Sequence, residues 1–316
     1  MRLLCLLCVT CFGFGASETD NSTLKGIQGG YHTDPMNAPW HVGLYKVGKI
    51  YKQICGGTII ASNVVVTAAH CVSKDDKVWP ASEFAVGAGK IYRAWDNFND
   101  VGAQKSNVRE IKLPPRYQGV VANYQEDIAL LILVDAFVYT NFVQPACVSF
   151  NAHFDTLQLR EGQLGKVVGW GLSGLKSKMS RLLRGATLPC VAIENCISQS
   201  PQSFKSYITG DKICAGYQNG TAVCRGDSGG GLVFPEAVDG IERYFLRGVV
   251  STSPDSSELC NRYTWATFTH LLRHEHFVKS HVPHVEQICG ISPIVNVASR
   301  FGVTADDSKC SCTCGK

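Results

Sequence analysis

Val223-Cys224-Arg225-Gly226-Asp227-Ser228-Gly229-Gly230-Gly231-Leu232-Val233-Phe234 is the stretch from which the fold of this 316-residue chain is read. A serine follows an acid inside a run of glycines, and the apolar segment Leu232–Phe234 leaves the turn as a strand. Small residues there let the backbone approach another molecule closely. Two further motifs stand far away in the sequence. Thr67-Ala68-Ala69-His70-Cys71 follows an apolar strand, Asn63–Val66, and Asp127-Ile128-Ala129-Leu130-Leu131 puts an acid at the mouth of another. Singly, each has a plain reading as a core histidine, a strand-end acid or a glycine turn. Around them, β-type runs recur between Gly, Asn, Asp and Pro turns, among them Cys55–Ile60, Glu83–Gly87, Val108–Leu113, Ile128–Val134, Lys166–Gly169, Tyr244–Ser251 and Arg262–Thr267. Many short, evenly spaced strands predict an all-β fold of sandwich or barrel type. One helix stands out, Thr269–Ser280, with Thr269 as its cap and Leu271, Leu272 and Val278 facing inward.

In the chain order His, Asp, Ser, these motifs together resemble the chymotrypsin-like (trypsin-fold) serine proteases, from Ile27 to about His284. The resemblance implies two six-stranded antiparallel Greek-key barrels with a C-terminal helix. It also implies a serine endopeptidase. A serine hydroxyl is a poor nucleophile until a neutral imidazole takes its proton, so His70 is the expected general base and then general acid for Ser228. Asp127 would hold the imidazole in the right tautomer and stabilise the imidazolium. Gly226 and Ser228 would offer backbone N–H groups to the oxyanion, each contributing about 3 kcal/mol in the transition state. The Val223–Phe234 run is similar to that of arthropod modular serine proteases of immune cascades. Two rival readings share the fold: a catalytically silent binding or cofactor protein, and a digestive endopeptidase. Intact His70, Asp127 and Ser228 argue against the first, and the cysteine-containing tail and unusual pocket against the second.

Composition agrees with a folded, extracellular protein. Hydrophobic residues make up 45% and charged residues 18%, which excludes a disordered chain. A net charge of +4, scattered along the chain, gives no sign of a nucleic-acid partner. Residues 1–16 read as a signal peptide, with Arg2 ahead of an apolar core and small residues after it, and no other segment is apolar for long enough to cross a membrane. A short propeptide, 17–26, would follow, then a protease domain over 27–284 and a Cys-containing tail over 285–316. Of the 15 cysteines, three lie in the leader, and the others are expected to form disulfides in a secreted protein.

The resemblance implies bridges Cys55–Cys71, Cys196–Cys214 and Cys224–Cys260, and Gly165 and Phe234 stand where a fourth is common. Cys147, Cys190, Cys289, Cys310, Cys312 and Cys314 remain, with Cys190 or Cys289 as candidate partners for Cys147. Ile27-Gln28-Gly29-Gly30 resembles the N-terminus that activation frees in this family, with Asp227 as its buried partner. The basic residue is displaced, so cleavage after Lys25 or after Gly26 is open. Ala222 stands where trypsin-like members carry an aspartate at the base of the specificity pocket. Ala222, Val223, Ser251, Ser253 and Asn261 would then form a pocket for an uncharged, apolar P1 side chain. Asn21 and Asn219 head glycosylation sequons. His270 and His274 have a metal-compatible spacing but read first as surface histidines, and Lys90 argues against the calcium loop of some members. No cofactor, metal or membrane is expected. The partners expected are a protein substrate, with another zymogen among the options, and a serpin-type inhibitor.

Overall fold

The computed structural model describes residues 27, 30–74, 77–173, 178–218, 220–254 and 263–289. The leader and propeptide, Asn21, Asn219, Cys260, Asn261 and the tail from residue 290 lie outside them. Twelve main strands form two closed, antiparallel barrels of six. In the first, β1 (His41–Lys46), β2 (Lys52–Ala61), β3 (Val64–Thr67), β4 (Phe84–Ala88), β5 (Gln104–Lys112) and β6 (Ala129–Leu133) run in the spatial order β1-β2-β3-β6-β5-β4. In the second, β7 (Leu164–Gly169), β8 (Arg184–Val191), β9 (Lys212–Ala215), β10 (Gly231–Val238), β11 (Ile241–Val250) and β12 (Ala266–His270) repeat that order as β7-β8-β9-β12-β11-β10. The sequence carries no visible repeat, yet the two Greek-key paths are the same. A two-residue strand, Tyr31–His32, adds to the outside of β8.

The strands form where the sequence is β-branched or apolar. Val64-Val65-Val66-Thr67 and Ala129-Leu130-Leu131-Ile132-Leu133 are buried throughout, because each lies between barrel interior and neighbouring elements. Burial of such side chains, at about 25 cal/mol per Å² of apolar area, is the main force holding each barrel closed. The antiparallel register of β3 and β6 pairs Thr67 with Ala129. That register brings His70, just beyond the end of β3, to the same rim as Asp127, just before β6. Ser228 lies just before β10, and its carbonyl accepts a hydrogen bond from Gly56 N on β2 at 2.8 Å, tying the barrels together.

Cys55–Cys71 and Cys196–Cys214 are disulfide-bonded, and Cys147 pairs with Cys289. Cys224 is also disulfide-bonded, while its expected partner, Cys260, is outside the described residues. Cys190 is a free, buried thiol, which burial and then nearby Asp155 push up to about 12. At the site of the absent bridge, the ring of Phe234 occupies the space beside Gly165: a Cβ there would lie 2.6 Å from Phe234 Cζ. An aromatic contact fills the gap.

The late helix differs from the sequence expectation. Thr269 is not a cap but part of β12, paired with Lys212, and a 3-10 turn over Leu271–His274 precedes the α-helix Glu275–His281. Pairing with β9 holds the first residues of the expected helix in a strand. Leu271 and Val278 are buried as expected. His270 and His274 consequently point to different acids: His270 Nε2 lies 2.8 Å from Asp155 and His274 Nε2 3.4 Å from Asp211.

Candidate active site

The rim between the barrels holds a cleft lined by His70, Tyr124, Val223, Ser228, Ser251 and Ser253, among others. Asp127 lies beneath it, fully buried. Its Oδ2 is 2.8 Å from His70 Nδ1, and its Oδ1 accepts from His70 N at 2.9 Å. One carboxylate therefore fixes both ring and backbone of His70, leaving Nε2 to face the cleft. Ser251 Oγ donates to the same Oδ2 at 2.6 Å, and Thr269 Oγ1 donates to the Asp127 carbonyl at 2.9 Å. Burial would raise the Asp127 carboxyl, but His70, Lys212 and Ser251 outweigh it and hold it down to about 2. It is ionised at neutral pH and suited to stabilising an imidazolium.

The serine turn is braced from inside. Asp227 N donates to Cys224 O, Gly229 N to Val250 O and Gly230 N to Asp227 O. Among the described residues, the N–H groups of Gly226 and Ser228 have no acceptor. Two unsatisfied donors beside a serine are what a developing oxyanion requires. Gln53 on β2 adds a hold that sequence reasoning missed: its Nε2 donates to the carbonyls of Cys55 at 2.9 Å and Gly226 at 3.1 Å.

Asp227 is fully buried behind the turn. Its Oδ1 accepts from Gly171 N at 2.8 Å and its Oδ2 from Cys224 N at 3.0 Å. No described cation pairs with it, and burial pushes it up to about 6 despite those two amides. The Gly169-Trp170-Gly171 motif is explained by this contact, since a Cβ on Gly171 would stand 2.2 Å from Asp227 Oδ2. Ile27 is buried in the second barrel's core with Val167, Ala186, Leu188 and Val223.

The expected pocket residues Val223, Ser251 and Ser253 line the cleft, and Ala222 is buried next to Val223. Ser251 is turned towards Asp127 as well. An aromatic wall not anticipated from the sequence, Tyr124, Tyr207 and Phe204, stacks along the cleft with ring centroids 5.8–6.1 Å apart. Lys90 is buried, and its ammonium contacts Asp100 and donates to Trp95 O at 3.1 Å. Among the described residues, the one group of side chains close enough to share a metal is Cys55, His70 and Cys71, and its two thiols are joined in a disulfide.

Two barrels with a glycine-rich serine turn and an imidazole–carboxylate pair at their junction are the architecture of the chymotrypsin-like serine proteases. A profile of the trypsin family matches residues 27–271, and the chain belongs to that family. It is 31% identical over 250 residues to the modular serine protease of Drosophila melanogaster, covering 76% of this chain and 38% of that protein. It is 33% identical over 257 residues to clotting factor C of Tachypleus tridentatus, covering 79% of this chain and 24% of that protein. With the proclotting enzyme of the same organism it shares 31% identity over 239 residues, 73% of this chain and 60% of that protein. The chain thus spans less than two thirds of the length of each of these relatives. Among the described residues, no helix is long and apolar enough to cross a membrane.

Proposed function

We propose that the chain is a secreted zymogen whose activated form cleaves protein substrates through His70, Asp127 and Ser228, with an apolar P1 preference. The observation that carries this reading is the 2.8 Å contact between His70 Nδ1 and a buried, ionised Asp127 in the cleft that also holds Ser228. His70 takes the Ser228 proton as the hydroxyl attacks the scissile carbonyl, and Asp127 stabilises the imidazolium. The oxyanion is received by the free amides of Gly226 and Ser228. Collapse of the tetrahedral adduct returns the proton to the leaving amine, and water then repeats the sequence on the acyl-enzyme.

Activation follows from Asp227. A carboxylate buried without a cation is costly, and cleavage next to Ile27 would create an ammonium at the end of a residue already seated in the same barrel. The leader and the disulfides support secretion. The names of two relatives, clotting factor C and proclotting enzyme, favour restricted proteolysis in a clotting-type cascade; another zymogen as substrate and a serpin-type inhibitor as regulator complete the proposal.

The pocket reading rests on Ala222 and Val223, which offer apolar surface and no counter-charge. Burying leucine or phenylalanine there contributes roughly 1.5–3 kcal/mol, whereas lysine loses its hydration without a partner. Peptides with Leu, Phe or Met at P1 should be cut at least ~10-fold faster, in kcat/KM, than matched Arg or Lys peptides. Ala222→Asp should move the preference towards basic residues, and Ser228→Ala should show no turnover. A wild-type preference for Arg would overturn the pocket assignment.

A further inference from the structure

We propose that Asp211 and Lys212 are a positioning pair that clamps the backbone turn presenting Asp127. The proposal rests on the reading of His70, Asp127 and Ser228 as the triad. Its origin is an unusual stretch of chain. Asn123, Tyr124 and Glu126 have φ of 52°, 56° and 58°, left-handed and without a glycine among them, directly before Asp127. Side chains with a Cβ resist that conformation, so such a cluster persists only where its surroundings over-determine it.

The surroundings come from the second barrel. Lys212 Nζ donates to Tyr124 O at 2.7 Å, and Asp211 Oδ2 accepts from Glu126 N at 2.9 Å. Two adjacent residues thus hold the two peptide groups that set the left-handed course. Lys212 Nζ also donates to Thr269 Oγ1 at 2.9 Å, and that hydroxyl passes its own hydrogen to the Asp127 carbonyl. The register of β9 and β12 places Lys212 directly opposite Thr269, so the chain Lys212–Thr269–Asp127 is built into a strand pair.

Asp211 is itself fixed. Thr209 Oγ1 donates to its Oδ1 at 2.6 Å, His274 Nε2 lies 3.4 Å from its Oδ2, and His270 N donates to its carbonyl at 2.8 Å. The Lys212 ammonium has no solvent exposure and lies 3.6 Å from Asp211 Oδ2. An apolar side chain would fill that volume without the cost of burying a charge, so packing does not account for a lysine. The charge also acts on Asp127. Burial raises that carboxyl, and Lys212, after His70, is among the neighbours that bring it down. The same clamp fixes Tyr124, whose ring stands edge-on to His70 with centroids 5.9 Å apart.

The test uses the activated full-length protein with Lys212→Met and Asp211→Asn. Lys90→Met serves as the control, because it removes a second buried ammonium that pairs with Asp100 away from the cleft. Kinetic constants are measured across pH, and the His70 Nδ1 proton is followed by NMR. Misplacing Asp127 should lower kcat by roughly 10–100-fold in both variants, with a smaller change in KM. Loss of the cation should also raise the acid-limb pKa of kcat/KM in Lys212→Met by about half a unit and shift the Nδ1 proton resonance. Lys90→Met should lower Tm and leave kcat and the pH profile unchanged. If both cleft variants behave like Lys90→Met, the pair is structural only and the proposal falls. If Lys212→Met does not fold, Asp211→Asn decides by the same kcat and NMR criteria, since it keeps size and shape. Turnover retained by Ser228→Ala would instead remove the triad reading itself, which separates the two failures.

Discussion

Asp127 and Asp227 are both fully buried, and their surroundings differ in one respect. Asp127 has His70, Lys212 and the Ser251 hydroxyl around it and is held down to about 2 despite its burial. Asp227 has two backbone amides and no described cation, and burial pushes it up to about 6. Amide donors alone do not offset the desolvation of a carboxylate here; a positive charge does. Asp127 already has a cationic neighbour in Lys212, and among the described residues Asp227 has none. That contrast is what the proposed zymogen reading rests on: the His70–Asp127 contact is already made, while Asp227 behind the Ser228 turn pairs with no described cation.

The largest effect comes from breaking the Asp127 site. Asp127→Asn keeps the shape but favours the wrong His70 tautomer, and kcat should fall by ~10⁴-fold. A fall of less than tenfold would mean that Asp127 does not govern His70.

The next tests the Asp227 site. A carboxylate raised in the folded state contributes stability that is present below its unfolded pKa and lost as pH rises through the folded value. Uncut protein should therefore lose about 3 kcal/mol of unfolding free energy between about pH 4 and pH 6, from a shift of about two units at Asp227. Asp127, depressed in the folded state, acts in the opposite sense, and its contribution disappears as pH falls from about 4 to 2. Denaturant titrations across pH on uncut Asp227→Asn should lack the pH 4–6 loss, and so should cleaved wild type. Equal slopes in all three would break the comparison.

The smallest change sharpens it. Ser251→Ala removes one donor from the Asp127 cage and leaves His70 and Lys212 in place, so kcat/KM should drop by roughly tenfold, the effect of one hydrogen bond to a charged group.

Much of this was legible because it is local. Motifs around His70, Asp127 and Ser228 announce themselves through residue type and neighbouring apolar strands, and the barrels through short runs between turns. What stayed hidden depends on tertiary pairing. Lys212 and Asp211 belong to no motif in the sequence, and the β9–β12 register is what sets them behind Asp127. Thr269 looked like a helix cap because sequence cannot show that β9 holds it in a strand. Two candidates stood open for Cys147, and only the folded chain selects Cys289 over Cys190. Ser251 appeared as a pocket residue and proves also to bind the carboxylate.

The central claim, that Ser228 is a nucleophile completed by a new N-terminus at Ile27, is tested most directly by fluorophosphonate labelling with N-terminal sequencing of the labelled product. The account predicts covalent modification at Ser228 only in molecules whose chain has been cut next to Ile27, and none in Ser228→Ala. Labelling of the uncut precursor at the rate of the cut form, or at a residue other than Ser228, would contradict it.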